Sequence, residues 1–145
     1  MINHQILIGI RTDKRGSALI EFAILAPALI GMMLGIMYVG LQMMSYNALR
    51  SISSDVARYT LVEYQKETFK PGVTDIEEKA LAIAINAPYS LDDDNLSVAV
   101  TKPNSDISGT DKFTATITYT PYNPVKFLGV NGPTMVETRS IYVPA

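Results

Sequence analysis

The sequence predicts an α+β fold. One long N-terminal helix is followed by a small domain made of a second helix and a short antiparallel sheet. Three observations predict it. No charged side chain occurs between Glu21 and Arg50, a run longer than the roughly 20 residues needed to cross a bilayer core. Leu49, Ile52, Val56 and Tyr59 then recur at intervals of three and four, which marks one face of a helix. Phe113, Ala115, Ile117 and Tyr119 alternate with Thr114, Thr116, Thr118 and Thr120, the period of a half-buried strand.

The 145 residues suffice for one domain of ordinary size, but the first third is committed to a membrane. Net charge is −2 and gives no sign of nucleic-acid binding. Its distribution says more. Residues 1–16 carry a balance of +2 and the remainder −4. The basic flank predicts a cytoplasmic N-terminus and an extracytoplasmic C-terminal domain. With no cysteine, a disulfide framework is excluded.

The first segment reads as a leader. A basic patch of Arg11, Lys14 and Arg15 ends at Gly16. An ordinary secretory signal is cut after a short apolar core. Here the glycine precedes the apolar run, so a cut at Gly16 removes residues 1–16, His4 included, and keeps the helix. Glu21 sits at the fifth position of that run. A lone carboxylate at the centre of a membrane helix costs roughly 2.5–3.5 kcal/mol, so it calls for a partner.

Residues 17–45 then read as a transmembrane helix. Pro27 has no N–H, which deprives the Ala23 carbonyl of its helical partner and predicts a kink or local opening. Gly31 and Gly35 form a small-x-x-x-small pair that permits close approach of another helix. Residues 46–70 extend the helix as an amphipathic segment, with Arg50, Ser51, Ser54 and Asp55 on its polar side and Asp55 placed to pair with Arg58. The continuous helix is expected from Ser17 to Gln65, roughly 75 Å at 1.5 Å per residue.

Residues 71–145 form the extracytoplasmic α+β domain. Pro71-Gly72 breaks the chain. Thr74 to Glu77 has the spacing of a capping box and opens a second helix. Ile76, Ala80, Ile83, Ala84 and Ala87 define its buried face, and Asn86-Ala87-Pro88 ends it. Asp92 to Asn95 is a loop. Strands follow at 96–101 and at 113–120. Lys102–Thr110 is the polar connection between them, and Pro121 to Pro124 terminates the second strand. Asn131-Gly132-Pro133 turns into a last strand at 135–143. Three strands against a helix are the minimum that buries one apolar face.

Gly16 followed by Glu21-Phe22-Ala23 and Pro27 resembles the prepilin signature of TadE-like pseudopilins of tight-adherence (Tad, or Flp) pilus systems. Ala57-Arg58-Tyr59 resembles that family's recurring Ala-Arg-Tyr element. The sequence departs from the Gly-Phe-Thr-Leu-x-Glu of other pilin classes, since Ser17 follows the glycine. The resemblance covers about residues 15–60 and implies a pilin-like layout. It implies cleavage after Gly16 by a prepilin peptidase, which makes Ser17 the new N-terminus and Glu21 the fifth mature residue. It implies that Glu21 and Phe22 act in assembly, with the carboxylate facing the N-terminal amine of an adjacent subunit, and that Pro27 flexes when the helix leaves the bilayer. The partners it implies are the inner membrane, other major and minor pilin subunits, the peptidase and the assembly platform. Adhesion of the cell to a surface is the implied outcome.

Little else in the chain carries chemistry. A cleaved chain contains no His, Cys or Trp, which removes the commonest zinc and nucleophile sets. Gly129 to Gly132 lacks the lysine of a phosphate loop. Asp92, Asp93 and Asp94 offer oxygens for Ca²⁺ but without EF-hand spacing, and a solvated acidic loop is the expectation. No catalytic residue, cofactor or metal site is expected, and no enzyme. The leading expectation is a minor pilin processed by a prepilin peptidase. The alternative is an uncleaved, single-pass, membrane-anchored binding module.

Overall fold

A computed structural model describes residues 15–66, 69–124, 126, 129 and 131–145. Most of the expected leader, including His4, Arg11 and Lys14, lies outside the described residues. Two helices and three strands follow in the order α1 (Arg15–Gln65), α2 (Val73–Ile85), β1 (Leu96–Thr101), β2 (Thr110–Tyr119) and β3 (Met135–Pro144). The chain divides into two compact units, Met1–Val39 and Gly40–Ala145.

The second unit is a two-layer α/β packing. The sheet is an antiparallel meander in the order β1-β2-β3. Its register pairs Val98 with Ile117 and Phe113 with Ile141. The alternation in β2 works as expected: Phe113, Ala115, Ile117 and Tyr119 are buried and the intervening threonines are not. Leu49, Ile52 and Val56 of α1, together with Ile76, Ala80 and Ala84 of α2, close over that one face. Burial of each large apolar side chain contributes roughly 1.5–3 kcal/mol.

The helical stripe of α1 runs differently from expectation beyond Val56. Tyr59 is only half-buried, while Ser53, Thr60 and Tyr64 are buried in its place. Two small hydroxyl residues are tolerated there because each bonds back to its own helix. Ser53 Oγ donates to the Arg50 carbonyl at 3.0 Å and Thr60 Oγ1 to the Val56 carbonyl at 2.9 Å. Tyr64 packs its ring against Phe113, with centroids 6.0 Å apart. Its hydroxyl donates to the Pro71 carbonyl at 3.3 Å, which ties the end of α1 to the start of α2. Burial pushes the Tyr64 phenol above its ordinary pKa.

Local expectations fail at three further points. The capping box is not Thr74–Glu77. Helix α2 starts at Val73 with Gly72 rather than Thr74 as its N-cap, and Asp75 Oδ2 accepts from the Gly72 N–H at 2.8 Å. Glu77 is free for tertiary work, and its Oε1 accepts from the Val100 N–H at 2.7 Å. Ala87 is exposed, because α2 ends at Ile85 with Asn86 as its C-cap. Asp55 does not pair with Arg58; its Oδ2 accepts from the Tyr89 hydroxyl at 2.8 Å, docking the segment after α2 onto α1.

The candidate assembly segment

The apolar start of α1 is bare. In the first unit Leu19 and Ile36 are each 73% exposed and Phe22 is 65% exposed. Large apolar side chains point outward on every side, which is the pattern of a helix built for lipid or for other helices rather than for water. The helix is long and apolar enough to cross a membrane by length and composition.

The expected site residues fall along this segment as follows. Gly16 lies in the first turn of α1, one residue after its start, so the Gly16–Ser17 bond is helical. Ser17 Oγ donates to Glu21 Oε1 at 3.1 Å. That bond places the carboxylate one turn above Ser17 on a single face, as the i,i+4 spacing requires. Glu21 is exposed and makes no ion pair among the described residues. Phe22 is exposed beside it. The α-helix continues unbroken through Pro27.

Gly31 and Gly35 are exposed, and a Cβ added to either would meet nothing within 4 Å. Nothing among the described residues therefore requires glycine at those positions. Met32, Gly35, Ile36 and Val39 outline a shallow apolar depression over Gly35. These residues form a stripe of small and flexible side chains along one strip of helix.

Two polar groups escaped the sequence reading. The Tyr38 hydroxyl in the first unit is buried without a hydrogen-bond partner among the described residues. The Gln42 amide in the second unit is buried and unpartnered too, and lines a cavity of about 250 Å³ with Met43, Tyr46, Asn47 and Met135. Their sequence signal was only that each interrupts an apolar run.

The acidic run near the sheet has local employment. Asp92 caps the 3₁₀ turn Asp93–Asn95, accepting from the Asp94 N–H at 3.3 Å and from Asn95 Nδ2 at 2.6 Å. Among the described residues no group of three or more His, Cys, Asp or Glu is arranged to hold a metal ion.

Comparison with known proteins singles out the same stretch. Residues 16–58 match the family model described as TadE-like protein. This segment is TadE-like. The match begins at Gly16, takes in Glu21, Phe22, Pro27, Gly31 and Gly35, and ends at Arg58 inside the Ala57-Arg58-Tyr59 element. It is consistent with a TadE-like protein of Tad pilus systems, and that family is not one of enzymes. The α2–β3 region stands outside the match. No curated protein and no solved structure matches the chain. Together, the TadE-like segment and its exposed apolar helix fit a single-pass membrane anchor in a pilus system.

Proposed function

We propose that the chain is a minor pilin or pseudopilin of a Tad/Flp-type pilus, anchored in the inner membrane through residues 17–45 with its N-terminus in the cytoplasm. A prepilin peptidase on the cytoplasmic side cuts between Gly16 and Ser17. The mature subunit then passes from the bilayer to the pilus or to its assembly platform, beside major and minor pilin neighbours. The amphipathic extension 46–70 and the domain 71–145 stay outside the membrane.

One observation carries this reading: within the TadE-like segment, Glu21 stands exposed and, among the described residues, without a cationic partner one turn above Ser17. Cleavage would give Ser17 an α-amino group with a pKa near 8, protonated at neutral pH. In a water-poor helix bundle a stranded carboxylate is strongly unfavourable, while one facing a cation is tolerated. Pairing Glu21 with the amine of a neighbouring subunit selects one axial offset between subunits and penalises the rest. Gly31 and Gly35 leave room for the neighbour's helix, and Pro27 removes one backbone bond from the segment that must leave the lipid.

The test is the mass of the mature protein in cells with and without the peptidase. Loss of Met1–Gly16 only when the peptidase is present is the expected result. A protein that still starts at Met1 in the presence of its own peptidase overturns the reading and favours an uncleaved, anchored binding module. Glu21→Leu should insert normally and fail to assemble with other subunits; normal assembly of that variant removes the register role.

A further inference from the structure

Both polar atoms of the Gln42 amide, Nε2 and Oε1, are buried with no hydrogen-bond partner among the described residues. A buried amide in that state costs free energy, so it calls for a donor and an acceptor from outside the chain. Gln42 lines a cavity of about 250 Å³ whose other walls are Met43, Tyr46, Asn47 and Met135. All five residues belong to the unit Gly40–Ala145.

The place of the cavity in the chain points to lipid. The charge-free run after Glu21 ends only at Arg50, so Gln42 and Met43 lie at its outer end. Tyr46, 45% exposed, follows one turn later, where aromatic side chains settle at a bilayer surface. The Arg50 guanidinium lies over the Tyr46 ring, 5.9 Å from its centroid, and forms the outer rim. Arg50 makes no ion pair among the described residues.

β3 supplies the facing wall. Ile141 and Val143 are buried in the core and Met135 packs against it. Met135, Glu137 and Arg139 therefore share the side of the strand that looks at α1. Met135 lies by Gln42 and Asn47, and Arg139 Nη1 donates to Ser54 Oγ at 2.8 Å. Glu137 stands between them, roughly 7 Å along the strand from Met135 and level with residues 47–50 of α1. It is half-buried, and no ion pair joins it to Arg50 or to any other described residue.

Read outward along α1, the groups are an apolar wall with a buried amide, a phenol ring, a guanidinium and, across the groove, a carboxylate. A phospholipid presents acyl chain, ester, phosphodiester and headgroup in the same order. We infer that this cavity holds one phospholipid with a primary-ammonium headgroup, of the phosphatidylethanolamine type. Gln42 Nε2 donates to an ester carbonyl, and Oε1 takes a water of the hydrated ester layer. The Arg50 guanidinium meets the phosphate and the Glu137 carboxylate meets the ammonium, both as charge-assisted contacts. A glycerol headgroup leaves Glu137 without a counter-charge. The inference rests on the membrane reading of residues 17–45 made under the proposed function.

The test uses the full chain in nanodiscs of equal parts phosphatidylethanolamine, phosphatidylglycerol and phosphatidylcholine. Native mass spectrometry after release should show one retained phosphatidylethanolamine per chain, in preference to the other two. Arg50→Gln and Glu137→Gln should each lower that retention about tenfold. Glu137→Gln should also remove the preference over phosphatidylglycerol. Gln42→Leu should lower retention without lowering the denaturation midpoint, because it removes an unpaired polar group. Lys112→Met, paired elsewhere with Asp106, should change nothing. A phosphatidylethanolamine with a photoreactive group beside its ester should label residues 42–47 and Met135. Equal retention of the three lipids, retention unchanged in the Gln42, Arg50 and Glu137 variants, or label confined to residues 17–39 overturns the inference. A dimeric mass without lipid overturns it in favour of a second copy in the cavity. Incorporation into the discs reports the anchor and the mature mass reports the cut, so those readings fail separately from this one.

Discussion

Residues 16–39 and residues 40–65 belong to one helix, yet they treat apolar side chains in opposite ways. In the first stretch the apolar residues cover all sides and stay outside the core formed by the described residues. In the second, Leu49, Ile52 and Val56 vanish into a core shared with α2 and the sheet, and Arg50, Ser51, Ser54 and Asp55 stay in solvent. One backbone thus serves two solvents. The difference teaches that the first stretch contributes stability only through surroundings that lie outside the chain, whereas the second completes a fold by itself.

That contrast can be broken or sharpened by substitution. The largest effect is expected at Phe113→Ala. It empties a fully enclosed site against Tyr64 and should cost about 3–5 kcal/mol, read as a lower denaturation midpoint of the domain built around the sheet. Membrane insertion should be unchanged. Next comes Glu77→Ala, which leaves the Val100 N–H without its carboxylate and should cost about 1–3 kcal/mol, with faster exchange of the Val100 amide. Tyr89→Phe removes the bond to Asp55 and should cost about 0.5–1.5 kcal/mol in the same denaturation experiment. Ile24→Ala should leave that midpoint where it was, because Ile24 lies in the first unit and touches no core. A fall in the midpoint would mean that the two stretches are not energetically separate.

The smallest effect concerns pH. A hydrogen bond from Lys112 Nζ at 2.9 Å holds the Asp106 carboxyl below its ordinary pKa of 3.8, and a backbone hydrogen bond adds to the effect. A carboxyl depressed by folding stabilises the native state above its unfolded pKa, and that contribution fades as pH falls through the lower, folded value. Melting temperatures of the wild type and Lys112→Met should therefore differ slightly at neutral pH and converge in strong acid. A gap that persists in acid would locate the effect in packing of Lys112 over the Tyr142 ring instead.

How much of this was legible in the sequence depends on whether the signal was local. The alternation from Phe113 to Tyr119 and the charge-free run after Glu21 were readable because each is a repeated pattern. The first residues of β2 were missed, since Thr110 was placed in the polar connection and the readable alternation begins only at Phe113. Asp111 and Lys112 instead pair with Lys102 and Asp106, whose connection folds back along the strand. The stripe of α1 was misread past Val56 because Ser53 and Thr60 carry no apolar signature and need only their own helix to become buriable. Glu77 and Asp55 were assigned neighbours in sequence, but their partners, Val100 and Tyr89, lie 23 and 34 residues away. The Gly16, Glu21, Phe22 and Pro27 spacing was legible as a motif because it is local, and it falls inside the TadE-like match.

The carboxylate of Glu77 has one more consequence. It takes the Val100 N–H at the outer edge of β1, so α2 is tied to the sheet by a directed bond as well as by apolar packing, and the helix cannot slide along the strand without breaking it.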